Sequence, residues 1–450
     1  MNSLNIYLRT LLAELRLIPA GYLVLLAAYS LVAFGSPMPP QITWLEIVMG
    51  CGLLAGSITL IAPVIKAAWQ SRVMKLGIVL AVLLLLLPLC VGLLRGNGIE
   101  NIARDVFPLL FLLAVPIVID YSASSVNRAM LRTLILFTLL FVGICTALTF
   151  FGGTIKLVGS TGQMVQMLRG GFAQATQATQ TTQATQTTQA TQTTQTTQFY
   201  DGLSIAILKL YDPAMLFTAL FLGAWGVVLV ARSWGIFLLG MVLLGMGALI
   251  AYGFMILGLR AYSAFFVLAL FIVAGTQLKE RGFYTRLLPL MLITLTLLWP
   301  QVDAVIQLLW AKQQAMGTNG KLAEWMAVIS TVFSSPQTAL LGIGWGGVLE
   351  NPIMLNEPTR FTHSMLSFFL LKTGVTGVLV LVLTMILLVL GYKRFGSIRP
   401  LSIERLILLL SCAPPLIIGI LFEPTYKMLS YGVILALFIL ALPSTTSKST

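Results

Sequence analysis

Apolar residues fill this chain in long runs, and polar residues gather in the gaps between them. Apolar runs of about 18 residues or more match the ~30 Å hydrocarbon core that a helix of about 20 residues crosses. Twelve such spans are predicted, at about 17–35, 44–65, 76–94, 104–120, 133–151, 213–231, 234–252, 261–277, 287–304, 375–392, 405–422 and 426–443. The run that begins near Leu17 is followed by many others, so it is read as a retained span and not as a removed signal peptide. The expected fold is therefore an all-α polytopic membrane protein. Spans one to five fall in 1–151, six to nine in 213–304 and ten to twelve in 375–450, separated by two long loops, 152–212 and 305–374.

Composition excludes a string of soluble domains, since 58% of residues are hydrophobic and only 9% are charged. The net charge of +13 reads as topology and not as a nucleic-acid footprint. With the N-terminus inside, the short cytoplasmic connections receive sixteen of the 27 basic residues, among them Arg72, Lys75, Arg128, Arg132, Lys279, Arg281 and Arg286. Both termini are expected to be cytoplasmic, and both long loops to lie outside. Cys51, Cys90, Cys145 and Cys412 sit inside apolar runs, where they form neither a disulfide framework nor a zinc site. No predicted span carries a charge near its middle; Asp120, Asp303 and Glu423 sit at span ends, with Glu46 close to one. Ion-coupled transporters place ionisable groups at the midplane, so this weighs against transport.

The first outer loop contains eight near-identical triplets, "ATQATQTTQATQTTQATQTTQTTQ", at 175–198. A period of three forms neither a strand face nor a helical stripe. With nothing apolar larger than alanine, the ribbon buries too little surface to offset its ordering entropy. It is expected to be a disordered insertion beside the site, produced by in-frame slippage of repetitive DNA; the functional alternative is a Thr-rich arm that contacts or accepts sugars.

The candidate chemistry lies in the outer loops. The sole histidine of the chain is His363, in "LGIGWGGVLENPIMLNEPTRFTHSMLSFFLLKTGVTG" (341–377). A lone histidine is most simply a hydrogen-bonded structural residue. Here Arg360 precedes it by three residues, Gly342, Gly344, Gly346 and Gly347 form a turn-rich stretch that lets backbone approach a ligand, and a short surface helix follows. Glu350 and Glu357 are candidate bases or orienters of His363, against the alternative of solvated loop charges. Arg95 and Arg104 lie at another outer turn; Arg104 beside Asp105 reads as an ion pair, or as a contact to a lipid diphosphate. Lys209, Lys312, Lys321 and Lys372 read as snorkelling residues at the interface, and Trp299, Trp310 and Trp345 as interface anchors. There is no acidic cluster, so no metal site or cofactor is expected.

The spacing His363-Ser364, nine residues, Gly374, two residues, Gly377 resembles the signature of the O-antigen ligases, within the O-antigen ligase and polymerase superfamily. "LGIGWGG" is similar to the glycine-rich stretch ahead of that family's histidine. Arg260, in "MILGLRAYSAFFVLAL" (255–270), resembles the family's "SR" turn, with Leu259 in place of serine. Arg169, in "RGGF" (169–172), is similar to its outer-loop "R-x-x-G-x-F", one residue shorter, and "YDPAML" (211–216) stands where an Asn-Pro helix opening usually follows.

The resemblance implies a GT-C-like fold in the bacterial inner membrane. It also implies transfer of a glycan from undecaprenyl diphosphate to an acceptor on the periplasmic face. Arg260 and Arg169 would stabilise charge growing on the leaving diphosphate, and His363 would bind or deprotonate the acceptor hydroxyl. The acceptor is the lipid A core for a ligase, or a second lipid-linked glycan for a polymerase. Two large outer loops fit both, and the histidine motif favours the ligase. Other glycan-assembly proteins are further expected partners, and nucleic acid is not. A protein O-oligosaccharyltransferase and a lipid-linked oligosaccharide flippase are the alternatives.

Overall fold

The computed structural model describes residues 44–68, 72–113, 115–117, 125–158, 211–256, 259–293, 321–352, 357–360, 362–392 and 402–442, together with single positions in 21–28 and 296–310. It is mostly helical. The helices are α1 (Trp44–Ala68), α2 (Arg72–Leu94), α3 (Ile99–Val106), α4 (Ser125–Val158), α5 (Pro213–Arg232), α6 (Phe237–Ile256) and α7 (Arg260–Thr276). They continue with α8 (Lys321–Val332), α9 (Pro336–Leu341), α10 (Met365–Tyr392), α11 (Ile403–Leu421) and α12 (Leu429–Ala441). One antiparallel hairpin, β1 (Leu349–Asn351) with β2 (Glu357–Thr359), pairs Asn351 with Glu357.

Six helical stretches among the described residues are long and apolar enough to cross a membrane: Lys75–Leu94, Thr133–Gly152, Pro213–Arg232, Phe237–Ile256, Met365–Leu387 and Ile403–Leu421. Shorter apolar helices cover Val48–Ser57, Arg260–Thr276, Phe283–Ile293 and Leu429–Ala441. The run expected to span at 104–120 is not one helix. There α3 passes into a 3-10 turn at Phe107–Leu113, where Pro108 lacks the N–H that would continue the α-helical ladder. The tenth span begins at Met365, ahead of the expected 375, so the "SMLSFFLL" stretch and the span are one helix bent at Gly374 (φ 66°). Most of the predicted first span, the triplet ribbon and Arg169 lie outside the described residues.

The chain divides into two compact units. One draws its described residues mainly from 40–139 and 321–442, the other from 140–310. In the second unit, Asp212 caps α5, its carboxylate accepting from the Ala214 N–H at 2.8 Å with Pro213 in the first turn. α5 and α6 pack through small residues: a Cβ at Gly226 would come within 2.6 Å of the Leu244 nitrogen, and one at Gly240 within 2.8 Å of the Val230 nitrogen. Close backbone approach of this kind takes the place of the hydrophobic drive that is absent between helices in lipid. Arg286 closes the end of α5 by donating from Nη2 to the Ala231 carbonyl at 2.6 Å.

In the first unit, α2 packs along α10, and the loop 342–347 is wedged against both. The bend at Gly374 interrupts the ladder of α10 and frees carbonyls one turn earlier. Those of Leu371 and Lys372 accept instead from Ile343 N–H (2.9 Å) and Gly344 N–H (3.0 Å). On α2, with Pro88 inside it, the Leu85 carbonyl takes the Trp345 indole N–H at 2.9 Å and the Pro88 carbonyl takes the Trp345 backbone N–H at 3.0 Å. α8 packs on the same assembly through Val328 and Val332 against Ile343, Leu349 and Leu371.

Candidate functional site

Ser364 caps the first turn of α10, its hydroxyl accepting from the Ser367 N–H at 3.1 Å, and His363 immediately precedes that cap. Its ring Nδ1 lies 3.0 Å from Oε1 of Glu324, on α8, and its backbone N–H donates to Glu324 Oε2 at 3.0 Å. Asn351, at the end of β1, donates its side-chain N–H to Glu324 Oε1 at 2.7 Å. The Glu324 side chain is 2% exposed and the His363 ring 22%, so one partner is sealed and the other reaches the surface. Burial by itself raises the Glu324 pKa. The hydrogen bond and charge of the His363 ring, the His363 backbone N–H and the Asn351 amide outweigh it, and the carboxyl titrates below its ordinary value.

A second charged group surrounds the start of α10. Lys372 and Asp105 form an ion pair at 2.6 Å, their side chains 0% and 1% exposed. Asp105 Oδ2 also accepts from the Gly346 N–H at 2.8 Å, and Lys372 donates to the Gly347 carbonyl. The loop is thus tied to α3 by a carboxylate and to α10 by an ammonium. Arg360 is within electrostatic range of Asp105, Arg104 and Glu100. Burial pulls its guanidinium below the ordinary value, Asp105 and Glu100 opposing and Arg104 adding to the effect. Lys427, in the 3-10 turn Pro424–Lys427, stacks its ammonium 3.9 Å from the Phe368 ring centroid. It senses the charges of Asp105, Lys372 and Arg360. Lys321 on α8 fixes that turn through a 2.6 Å ion pair with Glu423. Arg104, Arg360 and Lys372 thus share one neighbourhood with two carboxylates, Asp105 and Glu100, and Lys427 lies beside them. Tyr426 links the two groups, since its buried phenol senses both Asp105 and Glu324.

Several expected roles change. The glycines of 342–347 do not form a flexible ligand loop. Gly342, Gly344 and Gly346 have φ of 70–79°, and a Cβ at Gly344 would lie 2.4 Å from the Gly92 nitrogen, so the close approach they permit is to the protein's own helices. Trp345 is 0% exposed and stacks on Phe368, which removes it from the interface anchors. Lys372 does not snorkel; it is sealed against Asp105 inside a candidate span, so that span does carry an interior charge. The ion pair expected between Arg104 and Asp105 is replaced by Arg104–Glu100 (2.6 Å) and Asp105–Lys372, because residue i+4 on α3 is reachable and Asp105 faces inward.

Of the remaining candidates, Arg95 donates to the Thr338 hydroxyl at 3.3 Å, Glu350 is exposed on β1, and Glu357 enters as the backbone partner of Asn351. Arg260 opens α7 in the second unit, half-buried. The acid that meets His363 is Glu324, which sequence reasoning missed; the available signal was a lone carboxylate inside the mostly apolar "KLAEWMAVISTV". Among the described residues, no three His, Cys, Asp or Glu side chains converge as metal ligands would.

Fold and site together define a multi-pass helical membrane protein with an ionisable cluster at the head of one long helix. Comparison of the chain with protein-family models, with curated proteins and with solved structures finds no match.

Proposed function

We propose that this protein is a glycosyltransferase of the bacterial inner membrane that moves a glycan from undecaprenyl diphosphate to a hydroxyl of the lipid A core. In this reading the chain crosses the membrane twelve times in a GT-C-like arrangement, with both termini cytoplasmic and the site periplasmic. The observation that carries the reading is a surface-reaching histidine, tied to a sealed carboxylate, with Arg360 three residues away in a basic neighbourhood shared with Arg104 and Lys372.

The acceptor hydroxyl oxygen bonds to the anomeric carbon. The bond from that carbon to the diphosphate oxygen breaks, its electron pair leaves with the diphosphate, and the hydroxyl proton passes to His363. A cation held near the leaving oxygens favours the transition state over the ground state because negative charge grows there. Arg360, three residues from His363, suits that role, and Arg260 and Arg169 remain the arginines that the resemblance to O-antigen ligases assigns to it. One observation favours a second reading. Lys372, buried within a candidate span and paired with Asp105 of α3, is the kind of interior charge a flippase for lipid-linked oligosaccharide would carry.

The test is complementation of a deletion strain with His363→Ala and Arg360→Ala, followed by surface-glycan gel profiles. Loss of a general base is expected to lower transfer by about 10²–10⁴-fold, which removes the ladder. Lipid-linked polymer accumulating without capped lipopolysaccharide identifies a ligase. A single repeat unit on the core identifies a polymerase, and intermediate trapped on the cytoplasmic leaflet a flippase. A normal ladder in His363→Ala overturns the assignment.

A further inference from the structure

We propose that Glu324 is the positioning residue of the site: its carboxylate holds His363 as the Nδ1–H tautomer and so leaves the ring's lone pair on Nε2. The inference rests on His363 being the working group of the proposed reaction, but its structural part stands apart from what that reaction is.

The argument starts from the donors around the carboxylate. Glu324 Oε2 accepts from a donor that cannot change its role, the backbone N–H of His363 at 3.0 Å. Oε1 faces the Asn351 amide at 2.7 Å and His363 Nδ1 at 3.0 Å. An ionised carboxylate only accepts hydrogen bonds. With the Glu324 side chain 2% exposed, water is not there to separate two facing lone pairs. An unprotonated Nδ1 at 3.0 Å would therefore set nitrogen and oxygen lone pairs against each other in a sealed site, whereas an Nδ1–H completes the third hydrogen bond to the carboxylate. Neutral imidazole carries one N–H, so the acceptor nitrogen is Nε2, on a ring that keeps 22% of its side-chain surface exposed. Because Asn351, on the hairpin, and the backbone N–H hold the carboxylate from two other sides, the ring is fixed in orientation as well as in tautomer.

The chain has one histidine, which makes the test direct. The full-length protein, purified in detergent and grown on ring-¹⁵N-labelled histidine, yields a single pair of ring-nitrogen signals. At about pH 8.5, above the ordinary imidazole range near 6.5, the neutral tautomers are distinguished by their shifts and ring-proton couplings. The expected result is a protonated Nδ1 and an unprotonated Nε2. An Nε2–H tautomer in the wild-type protein overturns the proposal.

Glu324→Gln preserves the shape and makes a sharper demand. The backbone N–H cannot change its role and still requires an oxygen opposite it, so the glutamine places its amide NH₂ toward Nδ1 while the Asn351 amide turns over to present its carbonyl oxygen to that NH₂. The expected outcome is a switch to the Nε2–H tautomer and a fall in kcat larger than any change in KM. Retention of Nδ1–H alone in this variant shows that the carboxylate is not what selects the tautomer, and the proposal fails. The two readings separate cleanly. The predicted tautomers together with a normal glycan ladder in His363→Ala keep the positioning role and remove glycosyl transfer. A lost ladder with the wrong tautomer does the reverse.

Discussion

When the pH falls through the carboxylate range, the Glu324–His363 pair is lost from the carboxylate side. Glu324 titrates below its ordinary value in the folded protein, so the stability it contributes is present above its unfolded value of about 4.3 and disappears as the pH falls through the folded value. The melting temperature of the purified protein is accordingly expected to drop as the pH falls below that unfolded value. Glu324→Gln should flatten that drop and start lower at pH 7, by an amount corresponding to about 1.5–3 kcal/mol for a buried charged hydrogen bond. A variant with the wild-type acid dependence would show that other carboxylates carry it. His363 was legible in the sequence because it is unique and stands next to a helix. Glu324 was not, because 39 residues separate the two and only the packing of α8 on the loop and on α10 brings them together. Glu350 and Glu357 are nearer in sequence, yet they lie on the hairpin whose contribution to the pair is Asn351.

Among elements, the bend in α10 decides most of the local architecture. Gly374 releases two carbonyls, the 342–347 loop supplies their donors, and Asp105 with Lys372 ties that loop to α3 and α10. Breaking a buried pair by removing one partner leaves an uncompensated charge and costs about 3–5 kcal/mol, while removing both is often near neutral. Asp105→Asn alone and Lys372→Met alone are each expected to lower the melting temperature and the amount of protein in the membrane. The double variant should regain much of the loss. Additive losses in the double variant would mean that the pair's contacts to Gly346 and Gly347 matter more than its charges. The glycines themselves were visible in the sequence. Their purpose was not, since the spacing of Gly342, Gly344 and Gly346 is the same whether the approaching surface is a ligand or a helix.

For the whole molecule, the alternation of apolar runs and charged gaps anticipated helices at all the long described spans, from Lys75–Leu94 to Ile403–Leu421. It did not anticipate the break of the 104–120 run, where Pro108 and the inward-facing Asp105 oppose a continuous span. The triplet ribbon at 175–198 is read from sequence alone as an insertion. Deleting those residues is expected to leave the surface-glycan profile close to wild type. Complete loss of the ladder on deletion would make the ribbon part of the functional apparatus.

The sequence by itself determined the helical membrane class, most of the helix positions, and the histidine around which a site could form. These follow from hydropathy and from the rarity of one residue type, both of which are local properties of the chain. Only the tertiary structure decided which carboxylate meets that histidine, that Lys372 is sealed against Asp105, and that the glycine loop serves packing. Each of those depends on segments distant in sequence meeting at 2.6–3.0 Å, and a partner at such a distance is selected by the packing of helices rather than by spacing along the chain.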